Sequence, residues 1–132
     1  MKLLKQMTDT FLLNDFYTLE NQTIFDDGNI TATILLNENH AIFKGHFEEM
    51  PVVPGVCQTQ IIKEILQEHT KQNLLLAKGI NIKFTGMIVP HAHPKVSLEL
   101  KIKQDNGIYH VDAKLFFETT IFTKFKGEFI LA

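Results

Sequence analysis

The stretch Phe43-Lys44-Gly45-His46-Phe47, continuing through Pro51-Val52-Val53-Pro54-Gly55-Val56 into Cys57-Gln58-Thr59-Gln60-Ile61-Ile62-Lys63-Glu64, organises the chain. It sets a histidine between a glycine and an aromatic ring, then a proline loop, then the start of the one strongly helical segment. Pro51 and Pro54 each fix a backbone φ, so the path from His46 to the helix has little freedom. Pro54-Gly55 sits at the predicted helix start, where the missing N–H of proline costs nothing. The first N–H groups from Gly55 onward have no partner within the helix and carry a partial positive charge. A base such as His46 beside those donors could remove a proton next to a carbonyl while the donors hold the developing oxyanion.

Outward from this stretch, the pattern alternates on both sides. Phe16 to Phe25 reads as a strand ended by the turn signal Asp26-Asp27-Gly28, and Asn29 to Leu36 as its return. Residues 1–15 are weakly amphipathic and read as a short helix or arm ending at Asn14-Asp15. From Gly55 to Lys71 the spacing is helical. Cys57, Ile61, Ile62, Ile65 and Leu66 form an apolar stripe, and Gln60, Lys63, Glu64 and Gln67 share the other side. Beyond Asn73 strands resume. Leu74 to Val89 reads as a strand, with Ile80, Ile82 and Phe84 alternating with Asn81 and Lys83, before the break at Pro90-His91-Ala92-His93-Pro94. Lys95 to Gln104 alternates cleanly, Asp105-Asn106-Gly107 is a hairpin turn, and Tyr109 to Phe117 and Ile121 to Leu131 complete the set. Two strands, one long helix and three or four further strands define an α+β class, one antiparallel sheet with a helix on one face. Strand order is not readable from periodicity.

Composition bounds the partners. The 132 residues fit a single domain with a core of its own, and 45% hydrophobic with 21% charged residues is ordinary for a globular protein. A formal net charge of −2 argues against nucleic acid as the main partner. Cys57 is the only cysteine, which excludes an intrachain disulfide and suits a reducing cytoplasm. The runs Leu3-Leu4 and Phe11-Leu12-Leu13 are too short for a signal-peptide core or a membrane span. Eleven phenylalanines read first as a Phe-rich core, though an acyl-chain tunnel would need the same residues.

Gly45-His46-Phe47, four residues, then Pro51-Val52-Val53-Pro54-Gly55-Val56 resembles the signature of the bacterial β-hydroxyacyl-acyl-carrier-protein dehydratases. The resemblance runs from about residue 16 to the end, and Lys83-Phe84 with Val89-Pro90 loosely matches the family's segment after the helix. It implies a single hotdog domain over residues 1–132, one antiparallel sheet wrapped around a long central helix. It also implies removal of water from a 3-hydroxyacyl thioester on acyl carrier protein, to give a 2-enoyl thioester, without metal or redox cofactor. In that pattern His46 is the base, a backbone carbonyl at Val52 holds its other ring nitrogen, and the Gly55 N–H polarises the thioester carbonyl. Phe43, Phe47, Val52 and Val56 then line the substrate site. The family's site lies between two subunits, which implies a homodimer or an oligomer of dimers. Lys44, Lys83 and Lys95 are candidates for contacting an acidic carrier.

One position departs from the family. Glu or Asp stands five residues after the Pro-Gly glycine in the family, whereas this chain has Gln60. A carboxamide has no proton to give at accessible pH, though it hydrogen-bonds readily. Glu64, one turn further on, is the nearest carboxylate. Many family members carry Gln at that offset, as if the two residues were exchanged. Two readings of Glu64 stand: a relocated acid with Gln60 as its positioning partner, or a solvated helix carboxylate near Lys63. The alternatives to a lyase are a hotdog acyl thioesterase, with Gln60 or Glu64 positioning water, and a non-catalytic acyl-binding subunit. His91 and His93 fall on one side of an extended segment but have no third ligand nearby in sequence, so a solvent loop is the expectation rather than a metal site. Cys57 reads as a small buried apolar residue.

Overall fold

The computed structural model describes residues 12–43 and 51–132. The expectations placed on His46, on Phe47, on Lys44 and on the first eleven residues of an arm over residues 1–15 lie outside them. Six strands form one sheet: β1 (Tyr17–Ile24), β2 (Ile30–Leu36), β3 (Leu74–Phe84), β4 (Lys95–Asp105), β5 (Ile108–Phe117) and β6 (Thr120–Leu131). A short 3-10 turn spans Ala41–Phe43, and the helix α1 spans Gly55–Thr70 between β2 and β3. The spatial order is β1-β2-β4-β5-β6-β3, and every neighbouring pair is antiparallel. β3 follows the helix in sequence but joins the far edge of the sheet beside β6.

The turns form for local reasons. Gly28 has φ +88°, and Asp27 accepts both the backbone N–H of Asn29 (3.0 Å) and its side-chain amide (3.1 Å). Asn106 and Gly107 both have positive φ, the requirement of a two-residue hairpin, and Asp105 pairs directly with Ile108 across it. β5 and β6 are joined just as tightly through Glu118, φ 53°, with Phe117 opposite Thr120.

The alternating residues fall on the inner face as the spacing demands. Ile30, Ala32, Ile34 and Leu36 of β2, Val96, Leu98 and Leu100 of β4, and Tyr109, Val111, Ala113 and Leu115 of β5 are all buried. Cys57, Ile61, Ile62, Ile65 and Leu66 of α1 join them in one core. Sixteen residues at about 1.5 Å rise make a rod of roughly 24 Å, enough to cross the sheet. The helix ends at Lys71 in the left-handed region, its N–H donating to the Gln67 carbonyl at 2.7 Å.

Two features depart from the sequence pattern. The polar side of α1 is not a solvated face: Glu64 and Gln67 are fully buried, and Gln67 Oε1 accepts the N–H of Leu74 at 2.9 Å, fixing the start of β3. The apolar residues of β3, by contrast, are uncovered. Leu75, Leu76, Ile80, Ile82 and Phe84 are all exposed, and β3 has register shifts between Leu76 and Lys78 and between Gly79 and Asn81. Alternation reports which residues share a face; it does not report whether anything covers that face.

Candidate active site

The proline loop and the first turn of α1 are fastened to the sheet from several sides. Val53 is buried, its N–H donating to the Ile88 carbonyl at 2.9 Å. Its own carbonyl accepts from Gln58 Nε2 at 3.1 Å. Pro54, at the N-cap with φ −62° and ψ 150°, accepts the N–H groups of Cys57 (3.0 Å) and Gln58 (3.1 Å). Among the described residues nothing accepts from the N–H of Gly55 or Val56, so these two stand as open donors at the positive end of the helix. Phe84 lies over Gly55: a Cβ added there would come within 2.7 Å of the tip of its ring. Glycine at this junction therefore admits the ring. Val52 is half-buried beside Val53, and Val56 is 77% exposed. Phe43 is in the core with its ring 5.2 Å from that of Phe16.

One turn along the helix, Gln60 and Glu64 are bonded to each other, Gln60 Nε2 donating to Glu64 Oε2 at 2.8 Å. Glu64 is not the solvated carboxylate that its neighbour Lys63 suggests. It is 0% exposed, and it also accepts the backbone N–H groups of Leu12 and Leu13 at 2.9 Å each and the Tyr17 hydroxyl at 3.0 Å. Two donors therefore meet each oxygen, which is close to the full acceptor capacity of a carboxylate. The carboxylate ties the segment before β1 to the helix. Burial, and then the negative charge of Glu64, hold the Tyr17 phenol far above its ordinary range. Burial also pushes the Cys57 thiol up, with Glu64 adding to it. Cys57 is buried, as a small apolar residue should be.

Pinning Gln60 Nε2 to Glu64 decides which way its amide faces. Gln60 is half-buried, and among the described residues no partner meets its carbonyl oxygen or second N–H. The sequence pattern named His46, Gly55, Gln60 and Glu64, and the structure brings Gln60 and Glu64 into direct contact. Three residues escaped it: Tyr17, Gln58 and Thr123. Gln58 is 3% exposed, and its Oε1 accepts from the buried Thr123 hydroxyl of β6. One signal was available, because Gln58 falls at helical spacing with Ile61, Ile62 and Ile65, an amide on the buried stripe. His93, expected in a solvent loop, is partly buried instead. Its Nδ1 accepts the Val89 N–H at 3.3 Å, and its ring meets that of Phe122 edge-on at 5.0 Å.

Similarity to known proteins agrees with this arrangement at the level of class. The dehydratase heterocomplex ApeI:P from Xenorhabdus doucetiae superposes with a TM-score of 0.64 at 18% identity, over 85% of this chain and 96% of that one. A hypothetical thioesterase of Streptococcus pneumoniae, solved with coenzyme A, superposes with a TM-score of 0.60 at 11% identity, over 88% of this chain and 85% of that one. The fold is thus the hotdog fold, which by itself does not choose between lyase and hydrolase. Sequence narrows the choice. The family model for ApeI-like dehydratases matches residues 21–121, and the chain belongs to that family. The 3-hydroxyacyl-[acyl-carrier-protein] dehydratase FabZ of Clostridium kluyveri is 36% identical over 102 residues, 70% of this chain and 71% of that protein. A thioester dehydrase of Halalkalibacterium halodurans is 32% identical over 87 residues, 60% of this chain, and the chain spans only about half (53%) of that relative's length.

Proposed function

We propose that the chain removes water from a 3-hydroxyacyl group held as a thioester on acyl carrier protein, acting in the cytoplasm as a homodimer. His46 takes the C2 proton. The Gly55 N–H, at the open end of α1, holds the thioester oxygen as charge builds on it. The C3–O bond then breaks as the C2–C3 double bond forms, and the departing hydroxyl receives the proton from His46, directly or through water. Gln60, with its amide oriented by Glu64, holds that hydroxyl. Phe47, Val52 and Val56 border the acyl chain, and Phe43 supports them from the core.

The observation that carries this division of labour is the hydrogen bonding of Glu64. A carboxylate already accepting from Gln60, Tyr17 and two backbone N–H groups serves as an anchor, and the carboxamide of Gln60 is the head left to face substrate. A homodimer is supported by the exposed apolar edge along β3, continued by Val56 and Met87 near the helix start. A second reading, thioester hydrolysis, draws support from the same Gln60: an oriented amide could place a water against the carbonyl as well as hold a hydroxyl.

The test compares three variants in dehydration and in unfolding. His46→Ala should lower the rate about 10²–10⁴-fold, the usual worth of a general acid–base group. Gln60→Ala should lower it about tenfold, the worth of one hydrogen bond. Glu64→Gln should lose a similar factor in rate and, because buried donors lose their acceptor, about 2–3 kcal/mol of stability in urea. A loss at Glu64→Gln as deep as that at His46→Ala, with Gln60→Ala near wild type, would make Glu64 the acid instead.

A further inference from the structure

Between Val52 and Gly55, whose carbonyl and N–H the proposed reaction uses, Val53 is buried and fastened at both ends of its backbone. Both of its backbone polar groups are bonded, the N–H to Ile88 and the carbonyl to Gln58. Gln58 is not free to shift, because its other end accepts from Thr123, which is 1% exposed and sits in β6 opposite Leu115 on one side and Phe84 on the other. The residue paired with Thr123 is thus the one whose ring lies over Gly55. One cross-strand pair of the β3–β6 ladder therefore registers both the loop, through Gln58, and the helix start, through Phe84. An apolar side chain on this stripe would pack equally well but would leave the Val53 carbonyl and the Thr123 hydroxyl buried without partners.

We propose that Gln58 is a positioning residue: with Thr123 it fixes the Val52–Gly55 segment in the place that the His46 base and the Gly55 oxyanion donor require. The inference rests on the function proposed above, yet it concerns a contact that the reaction itself does not touch. Misplacement of reacting groups by about 1 Å costs roughly 10²-fold in rate even when binding survives. Gln58→Met, close in volume and without an amide, should therefore lower kcat by about 10–10²-fold with KM little changed. Thr123→Val should do the same, whereas Thr123→Ser, which keeps the hydroxyl, should restore most of the rate.

A second readout needs no turnover: the imidazole signals of His46, assigned by their loss in His46→Ala, and hydrogen exchange of the Val53 amide. Gln58→Met should move those signals and speed that exchange. Loss of thermal stability with unchanged kcat, His46 signals and Val53 exchange would overturn the proposal and leave Gln58 a purely structural amide. If the wild-type protein turns over no thioester, the proposed reaction fails on its own. The inference is then decided by the imidazole and exchange data, upheld if they respond to Gln58→Met and overturned if they do not.

Discussion

At the scale of single residues, the phenol of Tyr17 donates to Glu64 in a place closed to water, and that contact makes stability depend on alkali. Burial first, then the Glu64 charge, then the hydrogen bond to it, raise the phenol's pKa. The folded state thus keeps a proton that the unfolded chain releases near pH 10. Above that pH the native state binds more protons, so stability must fall as pH rises, by up to about 1.4 kcal/mol per pH unit. The raised thiol of Cys57 adds a loss of the same sign beginning near pH 9. In urea unfolding followed from pH 8 to 12, Tyr17→Phe should be less stable than wild type at pH 8, having lost a buried hydrogen bond, yet decline less steeply above pH 10. Equal slopes would show that the phenol is not linked to folding. His46, Gly55 and Gln60 were legible as candidates because their offsets lie within one stretch of chain. Tyr17 was not, since its partner stands 47 positions away and nothing local distinguishes it from any strand tyrosine. Of the two readings of Glu64 left open, the solvated one fails, although a helix carboxylate beside a lysine ordinarily faces water.

At the scale of elements, β3 and β1 are the two outer strands of the sheet, and β3 is the more apolar of them. It is bulged twice, and on it Leu75, Leu76, Ile80, Ile82 and Phe84 stay partly exposed among the described residues. Such an edge invites pairing with another strand. In sedimentation velocity the wild-type protein should run as a dimer or larger, and Ile80→Lys, placing a charge at the second bulge, should shift it toward monomer at equal concentration. A wild-type monomer, or a variant with an unchanged profile, would remove β3 as the interface. The strands themselves, the helix and the two Gly-containing hairpins were legible, each within a residue or two, except that β3 stops at Phe84 rather than reaching Val89. Their periodicities and turn residues are local properties. The order β1-β2-β4-β5-β6-β3 was not, because it depends on pairings such as Leu74 with Leu131 that no window of sequence contains.

At the scale of the whole molecule, a sheet laid against one helix brings to one end of α1 the N–H groups of Gly55 and Val56, which no described residue accepts, the oriented amide of Gln60 and the fixed proline loop. Membership of the ApeI-like dehydratase family favours dehydration, and the contact of Gln60 with a buried Glu64 is what supports the proposed amide, rather than an acid, at the leaving hydroxyl. The decisive measurement offers the purified protein 3-hydroxyacyl and 2-enoyl thioesters of several chain lengths, following enoyl absorbance and free thiol in the same sample. Enoyl absorbance that rises from the hydroxyacyl substrate and falls from the enoyl one, with no thiol released, is the expected result. Thiol release without enoyl interconversion would make the protein a thioesterase and contradict the account.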